Sequence, residues 1–266
     1  MRILVLAMIC AAWMIGAARA DEIHVLAAGS LRDVIGEFGE RYNEATGTII
    51  TTGFGPSGAL RERIEKGERA DLFASADMGH PLKLLADRRA IRVDMFTRNA
   101  LCAFAAPRAG LTSANFIDRL LDSAVKLGTS TPKADPAGDY TWLMFRHMDA
   151  ARPGAYATLD QKAQKIVGGP GPVNGDPVAD GLKTGTIDVM IGYCSGRERL
   201  VKAVPDVEAV VVPQQITAGP EYGLAILKGA DPRAEDLALY MLSPEAQQIF
   251  AKRGFAPVGL PTPDPQ

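Results

Sequence analysis

The chain has 266 residues, of which 47% are hydrophobic and 23% charged, with 27 Gly and 18 Pro. These proportions exclude a disordered chain, a collagen-like repeat and a disulfide-dense miniprotein. The 29 basic and 31 acidic residues leave a net charge of −2, which argues against a nucleic-acid binder or a polybasic membrane binder.

The length suits one large domain or two lobes. At the start, Met1-Arg2 is a short basic segment and Ile3 to Ala18 is almost wholly apolar. Ala18-Arg19-Ala20 is a small-residue cleavage pattern, followed by Asp21-Glu22. The pattern predicts a signal peptide over residues 1–20, cleaved after Ala20, and a periplasmic location for the mature protein. The apolar run is short for a membrane anchor, and Ile9 before Cys10 does not suit a lipoprotein.

Cleavage removes Arg2 and Arg19 and no acid, leaving 27 basic residues against 31 acidic ones, a net charge of −4. It also removes Cys10, so Cys102 and Cys194 remain. Two cysteines in an oxidising compartment suggest one disulfide, with two buried free thiols as the alternative. His24, His80 and His147 are isolated, and no His/Cys cluster has zinc spacing. No metal or cofactor is expected.

Ile23 to Ala28 reads as a buried strand. Leu31 to Thr46 has helical spacing at Leu31, Val34, Ile35, Phe38 and Tyr42, with Gly47 as C-cap. Thr48 to Phe54 is strand-like, Ala59 to Lys66 a short helix, Ala70 to Ser75 a strand and Pro81 to Asp87 a helix. A strand over Asn99 to Ala105, a helix over Phe116 to Leu121 and a strand over Val125 to Gly128 follow. Pro136 opens a long helix through Met148, and Tyr156 to Lys165 is another. Gly168 to Pro177 is a Gly- and Pro-rich loop, Val178 to Lys183 a helix and Thr186 to Tyr193 a buried strand. Strands over Val207 to Val212 and Tyr222 to Leu227 precede two closing helices at 232–242 and 244–253. The Pro-rich end, Pro261 to Gln266, reads as a frayed tail. Strands alternating with helices are the α/β signature.

Three turns of small residues stand between a strand and a helix. They are Ala28-Gly29-Ser30-Leu31, Gly53-Phe-Gly-Pro-Ser-Gly58 and Asp135-Pro-Ala-Gly138. Each places backbone N–H groups, and twice a Ser hydroxyl, at a helix start, where anions bind readily. In open α/β sheets such turns line the ligand crevice. The plainer alternative makes Ser30 and Ser57 ordinary N-caps.

Enzyme signatures are weak. Gly53 to Gly58 matches the dinucleotide string, but Asp77 stands in a turn rather than at the end of the next strand. A secreted hydrolase using Ser30 or Ser57 lacks a histidine in a neighbouring motif. Enzyme readings are therefore weaker than a reading of these turns as an anion site.

Six stretches carry a resemblance. They are Leu26-Ala-Ala-Gly-Ser-Leu31, Gly55-Pro-Ser-Gly-Ala-Leu60, Ala70-Asp-Leu-Phe-Ala-Ser-Ala-Asp77, Pro136-Ala-Gly-Asp-Tyr140, Ile191-Gly-Tyr193, and Ser243-Pro-Glu-Ala-Gln247 through Gly254-Phe255. In order and spacing the chain resembles the periplasmic molybdate-binding proteins of ABC importers over its mature length. The resemblance implies a type II periplasmic binding protein fold, α/β, two lobes each with a mixed sheet flanked by helices. The implied divisions are 21–100 for the first part of lobe 1, 101–219 for lobe 2 and 220–266 for the rest of lobe 1. It implies a monomer that holds molybdate or tungstate in the cleft and delivers it to an ABC permease. A small organic solute is the alternative ligand. By position, Ser30 and Ser57 would donate hydroxyl and backbone N–H, Ala137 and Gly175 a backbone N–H, and Tyr193 its phenol.

Two aspartates, Asp135 and Asp139, flank the Pro136-Ala137-Gly138 turn. Carboxylates beside a dianion repel it unless turned away or paired. Either Asp135 caps the helix while Asp139 complements its dipole, or the ligand differs. The Cys102–Cys194 pairing is expected near the place where the lobes join.

Overall fold

The computed structural model describes residues 22–169 and 175–258. The predicted signal peptide, Cys10, Asn174 and the Pro261–Gln266 tail lie outside the described residues. In chain order the first part holds β1 (Glu22–Ala28), α1 (Arg32–Thr46), β2 (Ile49–Gly55), α2 (Ser57–Glu65), β3 (Leu72–Ser75), α3 (Gly79–Ala86) and β4 (Ala90–Arg98). The middle holds β5 (Leu101–Ala105), α4 (Phe116–Leu121), β6 (Leu127–Ser130), α5 (Pro136–Ala151), α6 (Ala155–Lys162) and β7 (Gln164–Val167). It continues with α7 (Pro177–Thr184), β8 (Val189–Tyr193), α8 (Arg197–Ala203) and β9 (Glu208–Val211). The last part is β10 (Glu221–Leu227), α9 (Arg233–Met241) and α10 (Pro244–Lys252).

Two five-stranded sheets result, in the orders β2-β1-β3-β10-β4 and β7-β6-β8-β5-β9. Both are mixed. β1 runs parallel to β2 and β3, and β10 is antiparallel to β3 and β4. In the second sheet β6 is parallel to β7 and β8, and β5 is antiparallel to β8 and β9. This is the two-lobed α/β architecture expected of a type II binding fold.

The period of two along each strand sorts the side chains into layers. On β1, Ile23, Val25 and Ala27 pack with Val34, Ile35 and Phe38 of α1. Leu26 faces the other way, with Leu60 and Ile64 of α2. On β5, Leu101 and Ala103 join the first layer, while Cys102 and Phe104 face Val178 and Met190. Full burial of a side chain such as Phe38 contributes roughly 1.5–3 kcal/mol. The first layer runs through both sheets without a break and includes Tyr193 and Tyr222.

The chain crosses between the sheets at Asn99-Ala100 and returns through residues 212–220. The two crossings are tied, because the Asn99 N–H donates to the Pro220 carbonyl at 2.9 Å. Cys102 and Cys194 form a disulfide beside this junction, where the Cys194 N–H also donates to the Ala100 carbonyl at 2.9 Å. The alternative of two free thiols is thereby excluded in this structure.

Three elements differ from the sequence reading. β4 had no predicted counterpart. Its Arg92 and Asp94 interrupt the apolar alternation, and its register against β10 shifts twice, so the strand exists by edge pairing. The helix expected to reach Lys165 ends at Lys162. Ala163 is extended there, and β7 pairs with β6 instead. The short helix α8 also went unread, being only seven residues, with Leu200 as its buried anchor.

Candidate functional site

A cleft of about 790 Å3 separates the two sheets. Helix starts reach its walls through Ala28, Pro56, Asp135 and Asp176, and α8 reaches the cleft through its uncapped start at Gly196. Ala28 and Pro56 belong to the first lobe and precede a single 3-10 turn (Gly29–Leu31) and α2. Asp135 and Asp176 belong to the second lobe and precede α5 and α7.

On the first wall, neither serine is an N-cap. The cap positions fall on Ala28 and Pro56, and neither start has a side-chain cap bond. Ser57 is the first residue of α2 and is fully buried. Its Oγ accepts the Ala76 N–H at 3.1 Å, which orders the turn after β3. An accepted bond leaves the hydroxyl proton available for a second partner. The Ser30 hydroxyl pairs with the Tyr222 phenol at 3.0 Å.

On the second wall, the starts of α5 and α7 are capped by aspartate. Asp135 Oδ1 accepts the Ala137 N–H at 3.0 Å, and Asp176 Oδ1 accepts the Ala179 N–H at 3.1 Å. The backbone donor expected of Ala137 is thus held by its own chain. Gly138 makes the α5 start tight. A Cβ there would lie 2.6 Å from the Pro132 nitrogen. Asp139 Oδ1 accepts the Lys133 N–H at 3.0 Å. The capping alternative for Asp135 therefore describes the structure. Gly175 lies beside Asp176 on the cleft wall with φ +75°, a conformation that glycine adopts freely.

The two aspartate caps differ electrostatically. Asp176 pairs with Arg199 of α8. Asp135 is half-buried, and no cation pairs with it among the described residues. Crowding by protein is the main cause that pushes its carboxyl up to about 6. The Ala137 N–H and the Ser130 hydroxyl oppose that rise, and the charges of Asp139 and Asp77 add to it. Burial also raises the Asp139 carboxyl, while its bond from the Lys133 N–H opposes.

Tyr193 ends β8 and reaches across the cleft. Its phenol donates to the Ala76 carbonyl of the first lobe at 3.3 Å. Burial, reinforced by Tyr222, pushes this phenol well above its ordinary range; its single proton is committed to Ala76 in this structure, so the phenol donor expected of Tyr193 is held within the chain. The walls also meet at Gly58, whose N–H donates to the Ala134 carbonyl at 3.2 Å. A Cβ on Gly58 would come within 2.5 Å of the Lys133 carbonyl oxygen. The lobes in this structure are therefore closed on each other at this edge.

Sequence reasoning missed the polar chain behind the cleft. Asn99 Nδ2 donates to Tyr222 at 3.2 Å and to the Ser195 hydroxyl at 2.8 Å. Ser30, Tyr222, Asn99 and Ser195 thus link the first wall, the crossing and the turn beside the disulfide. Burial raises the Tyr222 phenol too, against the bonds from Ser30 and Asn99. Asn99 carried one usable signal, a polar residue two positions before a buried strand.

Comparison with known proteins places this geometry. The family of bacterial extracellular solute-binding proteins matches residues 23–256. An uncharacterized protein of Pasteurella multocida is 33% identical over 241 residues, covering 88% of this chain and 98% of that one. The molybdate-binding protein ModA of Escherichia coli is 28% identical, covering 90% and 91%. The solved structure of the sulfate-binding protein SubI of Mycobacterium tuberculosis shares the fold at a TM-score of 0.73 and 18% identity, covering 89% and 87%. Members of this family are exported solute carriers and not enzymes. A cleft between two mixed sheets, walled by helix starts and matched along nearly the whole described length, makes the chain a member of the bacterial extracellular solute-binding protein family.

Proposed function

We propose that the cleft captures a tetrahedral oxyanion for an ABC importer, with molybdate, tungstate and hydrogen phosphate as the anions to compare. The observation that carries this reading is the convergence of Ser30, Ser57 and Tyr193 on one cleft, two of them at helix starts that no side chain caps. A helix start carries about half a positive charge. Hydrogen bonds to a charged group contribute roughly 1.5–3 kcal/mol each. The Ser57 hydroxyl proton is the donor nearest to hand, and α2 supplies the field behind it. Ala137 and Gly175 would add backbone donors from the second wall. The Ala137 N–H reaches an anion only when Asp135 releases it. The names of two relatives support this ligand class, one for molybdate and one for sulfate. In this reading the units that close are 21–100 with 220–266 against 101–219, and the loaded form docks on a permease as a monomer.

One feature favours a small organic anion as a second reading. The cleft floor continues over Phe104, Val178, Met190 and Leu200, more apolar wall than a bare oxyanion covers. Calorimetric titration with molybdate, tungstate and phosphate, beside a panel of organic acids, separates the two. Saturable oxyanion binding at one site per chain is expected. Heat from the organic acids alone would remove the oxyanion reading.

A further inference from the structure

Asp135 stands at a helix start on the cleft wall, where an anion would otherwise be attracted. It occupies the start of α5 with a carboxylate of its own, on the cleft wall, through the bond from Ala137 to Oδ1. The comparison with Asp176 sharpens the point. Asp176 has the same capping role on the same wall, but Arg199 neutralises it. Asp135 has no such partner among the described residues.

The charged and titratable groups around Asp135 come from every element that packs near it. Asp139 lies on its own helix, Asp77 follows β3, and Tyr193 and Tyr222 come from β8 and β10. Lys133 and His80 act on Asp139 instead. Of the cations on the cleft wall, Arg199 is paired with Asp176 and Arg32 stacks over the Phe54 ring at 4.4 Å. The groups facing Asp135 are thus acids and neutral phenols.

An ionised carboxylate in that setting repels a fully deprotonated dianion and accepts a hydrogen bond from an anion that keeps a proton. Ser57, across the cleft, supplies a donor for the same anion's bare oxygens. Resting on the oxyanion reading above, we infer that Asp135 is the selecting residue of the cleft. It favours a tetrahedral oxyanion that carries an O–H, with hydrogen phosphate the simplest case, over molybdate and tungstate. Binding of a bare dianion then requires a proton on Asp135.

The proton linkage gives a second signature. With the carboxyl at about 6, molybdate affinity weakens as pH rises above that value, by up to about tenfold per pH unit. Below it the carboxyl is neutral, and the dianion binds without repulsion from this group. Molybdate itself changes little over this range, so the dependence reports the protein.

The test is calorimetry on the full mature chain with inorganic phosphate and with molybdate, between pH 6 and pH 8. The variants are Asp135→Asn and Asp135→Ser, both of which keep a capping side chain, so the α5 start survives and melting curves verify folding. Wild type is expected to prefer phosphate at pH 8 by about tenfold or more, the effect of one mismatched donor pair in a polar site. Both variants are expected to reverse that order and to lose the pH dependence of molybdate binding. An unchanged phosphate-to-molybdate ratio in both variants overturns the inference while leaving oxyanion capture intact. Tight molybdate binding by wild type with no pH dependence overturns it as well. No binding of either anion by wild type or variants removes the oxyanion reading itself, and the inference with it.

Discussion

The two walls of the cleft solve the same local problem in opposite ways. Each wall is built from turns that end a strand and begin a helix. On the first wall the cap positions are Ala28 and Pro56, which offer no side-chain acceptor. On the second wall, beside the uncapped start of α8 at Gly196, they include Asp135 and Asp176, and both aspartates bond to their own helices. A helix start attracts negative charge wherever it is. The cap residue decides whether that attraction is left for a solute or satisfied within the chain. One wall thus leaves its helix starts without side-chain caps, and the other brings its own capping anions, only one of which has a cation beside it.

The comparison breaks first if the second wall is not held rigidly. The Cys102–Cys194 bridge closes a loop across a separation of 92 residues and anchors the turn that holds Ser195. Replacing both cysteines by serine should lower stability by about 4–5 kcal/mol on the chain-entropy account. Denaturant melts of exported protein measure this. A loss below about 1 kcal/mol would show that the β5–β8 pairing alone fixes the wall.

The next largest effect concerns how the walls meet. Gly58→Ala places a methyl against the Lys133 carbonyl. The closed form should be lost and solute affinity should fall by about a hundredfold, or about 2.7 kcal/mol. Small-angle scattering with saturating ligand reads closure directly. A closed envelope together with wild-type affinity would mean that the Gly58–Ala134 contact is incidental.

Ser57→Ala then tests the wall without side-chain caps. Affinity for the oxyanion should drop by about 1.5–3 kcal/mol, the range for a hydrogen bond to charge. Stability should also fall, because the Ala76 N–H loses its acceptor. A lower melting temperature with unaltered affinity would reduce Ser57 to a scaffold residue.

The smallest effect isolates Asp135 without any ligand. Burial holds its folded carboxyl up at about 6, above the ordinary aspartate range of about 4 in the unfolded chain. Between those values the folded state keeps a proton that the unfolded chain has released. Stability therefore falls as pH rises through that window and is level above it. Asp135→Asn should add about 1–2 kcal/mol at pH 7.5 after allowance for partial exposure, and nothing below pH 3.5. Equal melting shifts at both pH values would show that the carboxyl is not perturbed by folding.

Much of the fold was legible because its signals are local. The apolar face of α1, its Gly47 terminus and the Ser243-Pro244 start of α10 each follow from spacing or capping within a few residues. The Asp135-Pro136 start of α5 was legible for the same reason. β4 was not, because its charged positions are stabilised by pairing with β10, a strand more than 120 residues away. The turns that carry Ser30 and Ser57 were legible, and both residues line the cleft, but their hydroxyl partners were not. Ser57 bonds to Ala76 and Ser30 to Tyr222, and both partners come from other strands.

The sequence by itself determined an α/β chain with small-residue turns before its helices, two cysteines available for one bridge, and aspartates flanking the Pro136 turn. Each is a statement about neighbours along the chain, and short-range sterics and hydrogen bonding suffice for it. The tertiary structure alone decided that Ser57 is tied to Ala76, that Asn99 links two walls through Tyr222 and Ser195, and that Arg199 neutralises Asp176 but not Asp135. Those outcomes depend on which strands the crossovers bring side by side. Charge and hydrogen-bond partners across a cleft are set by that arrangement, and no local pattern encodes them.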